Sequence, residues 1–237
     1  MGEIIAITGG KGGVGKSFVA IGLSTALSRM GKGVLLIDAD NNLGYDAELL
    51  NVRPLYFLRD VQSGKCKLNQ AYTYCLGGFR LIASGNCDGE IKYSLDSILG
   101  VCKKKFDYVI IDYPAGVSSN GLSKVDSAIL VTEPKTGSIK SSLLVKDILQ
   151  TTGIKDISLF INKITKDDFF SIKDVESSLQ LPIIGNMAQS NDIGKFGDSM
   201  FDITKVSKYR YLENTAAKIV DPEVKVTPIK RSFFSFK

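Results

Sequence analysis

The sequence contains no histidine, and this absence excludes several classes of catalyst. A Ser-His-Asp triad needs an imidazole, and so does histidine-based acid–base catalysis. Any proton transfer would therefore involve carboxylates, lysines, tyrosines or water.

Cysteine is scarce, and its spacing does not suit a metal site. The four cysteines are Cys66, Cys75, Cys87 and Cys102. None belongs to a C-x-x-C pair, so we expect neither a zinc site nor a disulfide framework.

Long apolar runs are also missing. No segment approaches the roughly 18 apolar residues that span a bilayer, and the first residues follow a strand pattern instead of a leader pattern. Hydrophobic residues make up 44% and charged residues 23% of the 237 positions, as in ordinary globular proteins. We therefore expect a cytoplasmic protein whose core can form one domain.

The excess of positive charge is small, at a formal +5. Its clearest local concentrations are Lys103-Lys104-Lys105 and the C-terminal basic residues. We interpret the lysine run as a solvated surface. A weak attraction to nucleic acid or anionic lipid stays open as the alternative.

The segment from Gly9 to Ser17 carries the strongest motif. Residues 10–17 fit the pattern G-x-x-x-x-G-K-[ST] of a phosphate-binding loop. The β-branched run at 3–8 predicts a buried strand before the loop, and apolar spacing over 17–30 predicts a helix after it. Glycines let backbone N–H groups approach an anion, and the helix start adds its positive dipole end. The alternative is an ordinary glycine-rich turn between a strand and a helix.

Both backbone and side chains of this loop are candidate nucleotide ligands. The predicted contact positions are Gly10, Lys11, Gly12, Gly13, Val14, Gly15, Lys16, Ser17 and Phe18. Lys16 would reach the β- and γ-phosphates, and the Ser17 hydroxyl would ligate Mg²⁺.

Carboxylates follow two further predicted strands. Residues 34–37 read as a buried strand that ends at Asp38 and Asp40, and residues 108–111 read as another that ends at Asp112. Carboxylates at strand C-termini beside a phosphate loop suit the handling of Mg²⁺ and water. Asp112 after an apolar strand is a Walker B pattern, in which the carboxylate holds Mg²⁺ through water. The alternative for the first pair is an Asx-rich turn that caps the next helix.

Three segments together resemble a known family. K-G-G-V-G-K-S, with its lysine at position 11, resembles the deviant Walker A loop of the MinD/ParA family of P-loop ATPases, in the SIMIBI class. D-A-D at 38–40 resembles the switch I of that family, and D-Y-P-A-G at 112–116 its switch II. The resemblance covers roughly residues 3–220 and is nearest to the MinD and FlhG branches. It implies an α/β fold with a mainly parallel central sheet flanked by helices.

The resemblance also implies roles for single residues. Lys11 would reach across an ATP-dependent homodimer to the partner's nucleotide. Asp40 would align the attacking water, while Asp38 would support the Mg²⁺ shell. Gly116 would offer a backbone N–H near the γ-phosphate, and Asn162 would hydrogen-bond adenine. An ordinary asparagine at a strand end is the alternative for Asn162.

Three places depart from the family pattern. Phe18 stands where most relatives carry a serine or threonine that contacts the α-phosphate. Ser141 stands where many carry an aspartate that engages the front lysine. Residues 186–189 replace a loop containing Pro-Asp that lies against the base.

Apolar spacing predicts the remaining elements. The predicted strands are residues 79–83, 126–132, 157–161 and 181–185, and the predicted helices are residues 91–102, 139–149 and 209–219. Between residues 46 and 79 the pattern favours short helices or turns. Strands that alternate with helices predict a mainly parallel sheet with ligand chemistry at the strand C-termini.

The chain ends in a basic and aromatic segment. We assign residues 1–220 to the ATPase domain and 221–237 to a linker and tail. On a helix, Ile229, Phe233 and Phe236 would share one face beside lysines. This resembles the membrane-targeting helix of MinD-type proteins, and it predicts reversible association with the inner face of the cell membrane. The alternative to a membrane-binding helix is a tail that packs on the domain or is unstructured.

These features predict a slow, dimer-dependent ATPase switch that uses ATP and Mg²⁺. It would position a partner protein at a division site or flagellum. We also expect it to interact with a regulatory or activator protein, which the sequence does not identify. The alternatives are a ParA-type partition ATPase that binds nonspecific DNA and a nucleotide-binding scaffold with little hydrolysis. A metal-cluster carrier is excluded because no cysteine follows Asp112 closely.

Overall fold

A computed structural model describes residues 2–40, 44–85, 92–116 and 121–229. Within these ranges, eight strands form one sheet in the order β3-β4-β2-β5-β1-β6-β7-β8. The strands are β1 Glu3–Thr8, β2 Val34–Asp38, β3 Thr73–Tyr74, β4 Arg80–Ile82, β5 Tyr108–Asp112, β6 Ser127–Thr132, β7 Asp156–Ile164 and β8 Ile183–Ala188. Every neighbouring pair is parallel except β3 and β4. The predicted mainly parallel α/β fold is confirmed.

Helices cover both faces of this sheet. The α-helices in the described ranges are α1 Lys16–Arg29, α2 Asp46–Leu49, α3 Leu58–Ser63, α4 Leu95–Cys102, α5 Thr136–Thr151, α6 Ile172–Leu179 and α7 Tyr209–Val220. One apolar layer joins α1 and α7 to the sheet, and the other joins α4, α5 and α6 to its opposite face. Strands enclosed on both faces need apolar side chains in both directions, which explains their near-continuous apolar sequences. All five residues of β2, for example, are buried.

The sheet order creates a crevice at the end of β1. Strand β1 lies between β5 and β6. After β1 the chain continues on one side of it, with β2 to β5, and then crosses to the other side, with β6 to β8. In open α/β sheets, ligands bind outside the strand C-termini at such a reversal. Strand register brings Ile7 and Asp38 opposite Asp112 at this edge. The glycine loop and both carboxylate segments therefore share one end of the sheet.

The helix predicted over residues 91–102 begins later than expected, at Leu95. Ser94 caps it by accepting a hydrogen bond from the Ser97 backbone N–H at 3.3 Å. The backbone N–H groups of the two residues before Ser94 donate to the Gln62 carbonyl instead of entering a helix. Apolar spacing extended the prediction too far, because a serine N-cap sets the boundary. Position 91 lies outside the described residues.

The last strand is present, but its predicted bounds of 181–185 are wrong. It runs over Ile183–Ala188, so most of the segment that replaces the family's base-side loop is strand. Asn186 pairs with Ile161 and Ala188 with Ile164, which extends the sheet along β7. Neighbouring β7 supplies the hydrogen bonds that a single sequence cannot reveal.

After α7 the chain folds back along that helix. The Asn214 side chain donates from Nδ2 to the Lys225 carbonyl at 3.1 Å and accepts from the Thr227 N–H at 2.7 Å. Ile229 is partly buried against the α1–α7 layer. The segment predicted as a linker is thus held on the domain surface. Phe233 and Phe236 lie outside the described residues, and within those residues no helix is long and apolar enough to cross a membrane.

Candidate functional site

The glycine loop adopts a conformation that only glycine accepts easily. Gly13 and Gly15 have φ angles of 77° and 96°, in the left-handed region. Between them, the Val14 side chain is buried and anchors the loop to the core. Lys11 is exposed on the loop, while Lys16 is partly buried at the start of α1. The arrangement is strand, glycine loop and helix, as the sequence predicts.

Two neighbouring segments press against the start of the loop. A Cβ at Gly10 would come within 2.3 Å of the Ser141 carbonyl, so glycine is needed for this approach. The Gly116 N–H donates to the Gly9 carbonyl at 3.0 Å, and the Thr8 hydroxyl donates to the Gly116 carbonyl at 3.1 Å. The structure therefore brings Gly116 to the loop, with its N–H bonded to protein. Its predicted γ-phosphate contact stays a prediction.

Ser17 and the two strand-end carboxylates form the polar centre of the site. The Ser17 hydroxyl donates to Asp112 Oδ2 at 2.5 Å. Asp38 Oδ1 accepts from the Asp40 N–H at 3.0 Å, and Asp38 Oδ2 accepts from the Asp46 N–H at 3.4 Å. The structure thus brings Ser17, Asp38, Asp40 and Asp112 together as predicted. Asp46 joins them, although no motif in the sequence indicates it.

Burial makes these carboxylates hard to ionise in the absence of a cation. It raises the pKa of Asp38 to about 6 and the pKa of Asp112 to about 7. It also raises the pKa of Asp46 well above its usual value, and repulsion from the neighbouring carboxylates adds to this effect. Lys16 acts in the opposite direction on the pKa of Asp112. A positive ligand would favour the ionised forms of all three.

The donor set fits Mg²⁺ held together with phosphates. Asp112 Oδ1 is buried without a hydrogen-bond partner among the described residues, so a polar group remains available there. Mg²⁺ takes oxygen ligands, usually one or two from protein and the others from water and phosphate. Within the described ranges, no cluster of three or more histidine, cysteine or carboxylate side chains encloses a metal by itself. A serine hydroxyl and water-bridged carboxylates match that mode of binding.

Asn162 lies against the phosphate loop. It is 1% exposed, and its Nδ2 donates to the Val14 carbonyl at 2.8 Å. Its Oδ1 accepts from the backbone N–H of Lys163 at 2.8 Å. The predicted adenine contact of Asn162 stays a prediction, while the structure shows that its amide anchors the loop. Lys163 also contacts the loop, a role that no local sequence pattern indicates.

The Phe18 side chain points into the core instead of the site. Its ring is 6% exposed and meets the ring of Phe196 edge-on, with centroids 5.7 Å apart. Any nucleotide contact at this position therefore rests on the backbone at the start of α1. The Ser141 hydroxyl, at the other departure from the family pattern, donates to the Ser138 carbonyl at 3.0 Å.

Comparison with known proteins identifies relatives over most of the chain. A model of the CobQ/CobB/MinD/ParA nucleotide binding domain matches residues 5–200. The chain is 32% identical over 213 residues to the septum site-determining protein MinD of Bacillus subtilis (strain 168), covering 82% of this chain and 79% of that protein. It is 31% identical over 205 residues to a MinD-type septum site-determining protein of Oltmannsiellopsis viridis, covering 80% of this chain and 65% of that protein.

Solved structures agree with these relatives. The MinD protein of Pyrococcus horikoshii OT3, complexed with Mg-ADP, is 26% identical with a TM-score of 0.82, covering 93% of this chain and 96% of that chain. The MinC:MinD cell division complex of Aquifex aeolicus gives 25% identity and a TM-score of 0.83, covering 97% of this chain and 98% of that chain. Relatives of this chain therefore include a protein that binds Mg-ADP and one that assembles with a second protein.

Proposed function

The chain belongs to the CobQ/CobB/MinD/ParA nucleotide-binding family, and on this basis we propose that it is an ATP-hydrolysing switch of the MinD type. Its task would be to position a partner protein, most directly at a division site. The observation that carries the proposal is the contact between Ser17 and Asp112, which joins the phosphate loop to the strand-end carboxylate. Family membership supports nucleotide and Mg²⁺ as its ligands.

Each part of the site has a task in this proposal. The loop backbone and Lys16 bind the phosphates, with further backbone contacts at Phe18 and Gly116. The Ser17 hydroxyl would hold Mg²⁺ directly, while Asp38 and Asp112 would hold it through water. Bound Mg²⁺ supplies charge neutralisation on the phosphates.

Asp40 and Lys11 would convert nucleotide binding into a switch. The Asp40 backbone N–H donates to Asp38, and the Asp40 charge contributes to raising the pKa of Asp112. The Asp40 carboxylate therefore lies near the strand-end carboxylates, where it would orient a water molecule. Lys11 is exposed, as a residue that acts in a partner's site must be. ATP would then favour the dimer because each copy completes the other's site, and hydrolysis would separate the copies.

A turnover assay with Mg-ATP tests the enzymatic part. We expect slow hydrolysis by the wild type and a loss of about a hundredfold or more in Asp40→Ala, the range typical for a positioned acid–base group. Lys11→Ala should retain Mg-ADP binding but lose the ATP-dependent dimer in light scattering. Wild-type turnover equal to the buffer background would contradict the switch and favour a nucleotide-binding scaffold.

We further propose that the tail after Ile229 attaches the dimer to an anionic membrane surface. Three observations support this: the aromatic residues Phe233 and Phe236, the basic residues around them, and the anchoring of the preceding segment on α7. A single short basic and aromatic segment binds lipid weakly, and two tails on one dimer would gain affinity through avidity. Attachment should therefore depend on ATP.

Co-sedimentation with anionic vesicles tests the tail. The full chain should pellet with ATP but much less with ADP, and a chain that ends at Thr227 should stay in the supernatant with either nucleotide. Absence of pelleting in every state would contradict membrane attachment. Salt-sensitive, ATP-dependent binding to nonspecific DNA would then support the partition ATPase instead.

A further inference from the structure

Two consecutive side chains at the end of β7 contact consecutive carbonyls of the phosphate loop. Asn162 Nδ2 donates to the Val14 carbonyl at 2.8 Å, and Lys163 Nζ donates to the Gly13 carbonyl. Consecutive side chains of a regular strand point to opposite faces of the sheet. An irregularity in β7 must therefore bring both to the same loop.

That irregularity is a bulge centred on Lys163. The pairing of β7 with β8 shifts register between Ile161 and Ile164. Lys163 lies within this interval and has a φ of 55°, in the left-handed region that a non-glycine residue rarely adopts. Such strain persists only where surrounding contacts fix the conformation, and it is concentrated at functional sites.

The contacts that fix Lys163 include a buried carboxylate. Glu133, 8% exposed after the end of β6, has Oε1 at 3.0 Å from Lys163 Nζ. Its Oε2 lies 3.0 Å from the Nζ of Lys135, which is more exposed. Burial alone would raise the pKa of Glu133, but the two lysines lower it below the usual value. Glu133 is therefore ionised at neutral pH and holds the Lys163 ammonium against the loop.

The two carbonyl contacts determine where the loop N–H groups point. In a trans peptide the C=O and the following N–H point in opposite directions, and the described part of the chain has no cis peptide bond. Because the Gly13 carbonyl faces Lys163, the N–H of Val14 points away from β7. Because the Val14 carbonyl faces Asn162, the N–H of Gly15 does the same. These are donors that a phosphate loop offers to its anion.

We propose that Lys163, held by Glu133, is a positioning residue that sets the phosphate loop in its anion-binding conformation. Asn162 positions the loop in the same way with an uncharged amide, which donates to the Val14 carbonyl. The ammonium also places positive charge beside the site where phosphate charge would be bound. This inference rests on the proposed function, because it concerns the loop's affinity for nucleotide phosphates.

Calorimetric titration of the full chain with Mg-ADP tests the proposal. Lys163→Ala and Lys163→Gly should weaken binding by roughly ten- to hundredfold, the equivalent of losing a charged hydrogen bond. Glycine relieves the left-handed strain, so that variant isolates the loss of the ammonium. Lys163→Arg should restore most of the affinity. Lys135→Ala is the matched control, because Lys135 pairs with the same carboxylate without contacting the loop, and its affinity should stay within about twofold of wild type.

Backbone amide NMR spectra of the nucleotide-free protein give a second readout. The Val14 and Gly15 amide resonances should shift in Lys163→Gly while the other residues of β7 keep their chemical shifts, whereas a merely structural role would shift resonances along the whole strand. Glu133→Gln should show the same local effect, and it replaces the Lys163 variants if they do not fold. Wild-type affinity and unchanged Val14 and Gly15 resonances in Lys163→Gly would overturn the proposal. A wild type that does not bind Mg-ADP would overturn the proposed function, and the comparison of amide resonances would still decide the positioning role.

Discussion

The hydroxyl of Ser17 donates to Asp112 Oδ2 at 2.5 Å and joins the first turn of α1 to the C-terminal end of β5. The contact places an oxygen of the phosphate loop beside a buried carboxylate whose second oxygen, Oδ1, has no hydrogen-bond partner among the described residues. An unpartnered buried oxygen is unfavourable unless a ligand or water satisfies it. We therefore propose that a hydrated cation is held beside this pair.

Asp112→Asn should weaken the binding of Mg²⁺ to the ADP complex by roughly ten- to hundredfold, as expected for a group that orients a metal-bound water. Asparagine keeps the shape and can still accept from Ser17, so the fold should persist. Asp107→Asn is the matched control, because Asp107 lies just before the opposite end of β5, where it accepts from the Gly33 N–H at 2.7 Å. Titration of Mg²⁺ into the ADP-bound protein measures the effect. Equal Mg²⁺ affinities in Asp112→Asn and wild type would exclude this role.

Gly10→Ala should destabilise the protein by about 1–3 kcal/mol, the usual effect of overpacking a closed contact. The new Cβ would meet the Ser141 carbonyl at 2.3 Å, so either the loop or α5 must move. Gly137→Ala provides the control within α5, because a Cβ there meets nothing within 4 Å and should stabilise the helix by about 0.5–1 kcal/mol. Denaturant unfolding measures both. The prediction fails if the two variants shift the unfolding midpoint in the same direction.

The sequence was sufficient for those parts of the fold and site that depend on local pattern. Apolar β-branched runs predicted β1, β2 and β5. The last residues of β2 and β5 are Asp38 and Asp112, whose carboxylates lie at the end of the sheet that carries the loop. Strand C-termini of a parallel sheet meet at one edge, so the sequence pattern alone was enough to place Asp38 and Asp112 near Ser17.

The remaining features depend on contacts between distant segments. Lys163 reaches Gly13 only because β7 bulges against β8, which no local pattern around Lys163 reveals. Helix α6 was not predicted, although Ser171 and Asp174 form a capping box that signals its start. Phe18 replaces a polar family residue, and its partner Phe196 is too distant in the chain to be inferred.

Phe18→Thr should destabilise the protein by about 2–4 kcal/mol without strengthening nucleotide binding. The change restores the hydroxyl that the family pattern has at this position, but it also removes a buried ring packed on Phe196. Loss of that packing should loosen the segment around Phe196. Phe18→Leu keeps most of the apolar volume and should lose less than about 1.5 kcal/mol. Thermal unfolding and Mg-ADP titration measure the two effects, and a tighter Mg-ADP complex in Phe18→Thr would contradict the prediction.

Asp46→Asn should stabilise the nucleotide-free protein at pH 8. Asp46 is 1% exposed at the start of α2, and neither carboxylate oxygen has a hydrogen-bond partner among the described residues. Burial raises its pKa well above 3.8, and the charges of Asp112, Asp38 and Asp40 raise it further. Asparagine has the same shape but needs no proton to stay neutral. We expect the melting temperature to rise by roughly 2–4 °C at pH 8, about 1 kcal/mol for a chain of this size.

The gain should depend on pH in a defined direction. Because the pKa of Asp46 is higher in the folded state than in the unfolded state, the folded wild type binds more protons above about pH 4, and its stability falls as pH rises. Near pH 4 the folded state carries the proton and the unfolded state is already about half protonated, so most of the difference between Asp46→Asn and wild type should be gone. Melting curves from pH 4 to pH 8 in a chelator measure the difference, with the exposed Asp147→Asn in α5 as control. A pH-independent difference in melting temperature, or one that narrows toward pH 8, would show that ionisation of the Asp46 carboxyl does not destabilise the fold. Added Mg²⁺ should reduce the stabilisation by Asp46→Asn, because a cation favours the ionised carboxylates.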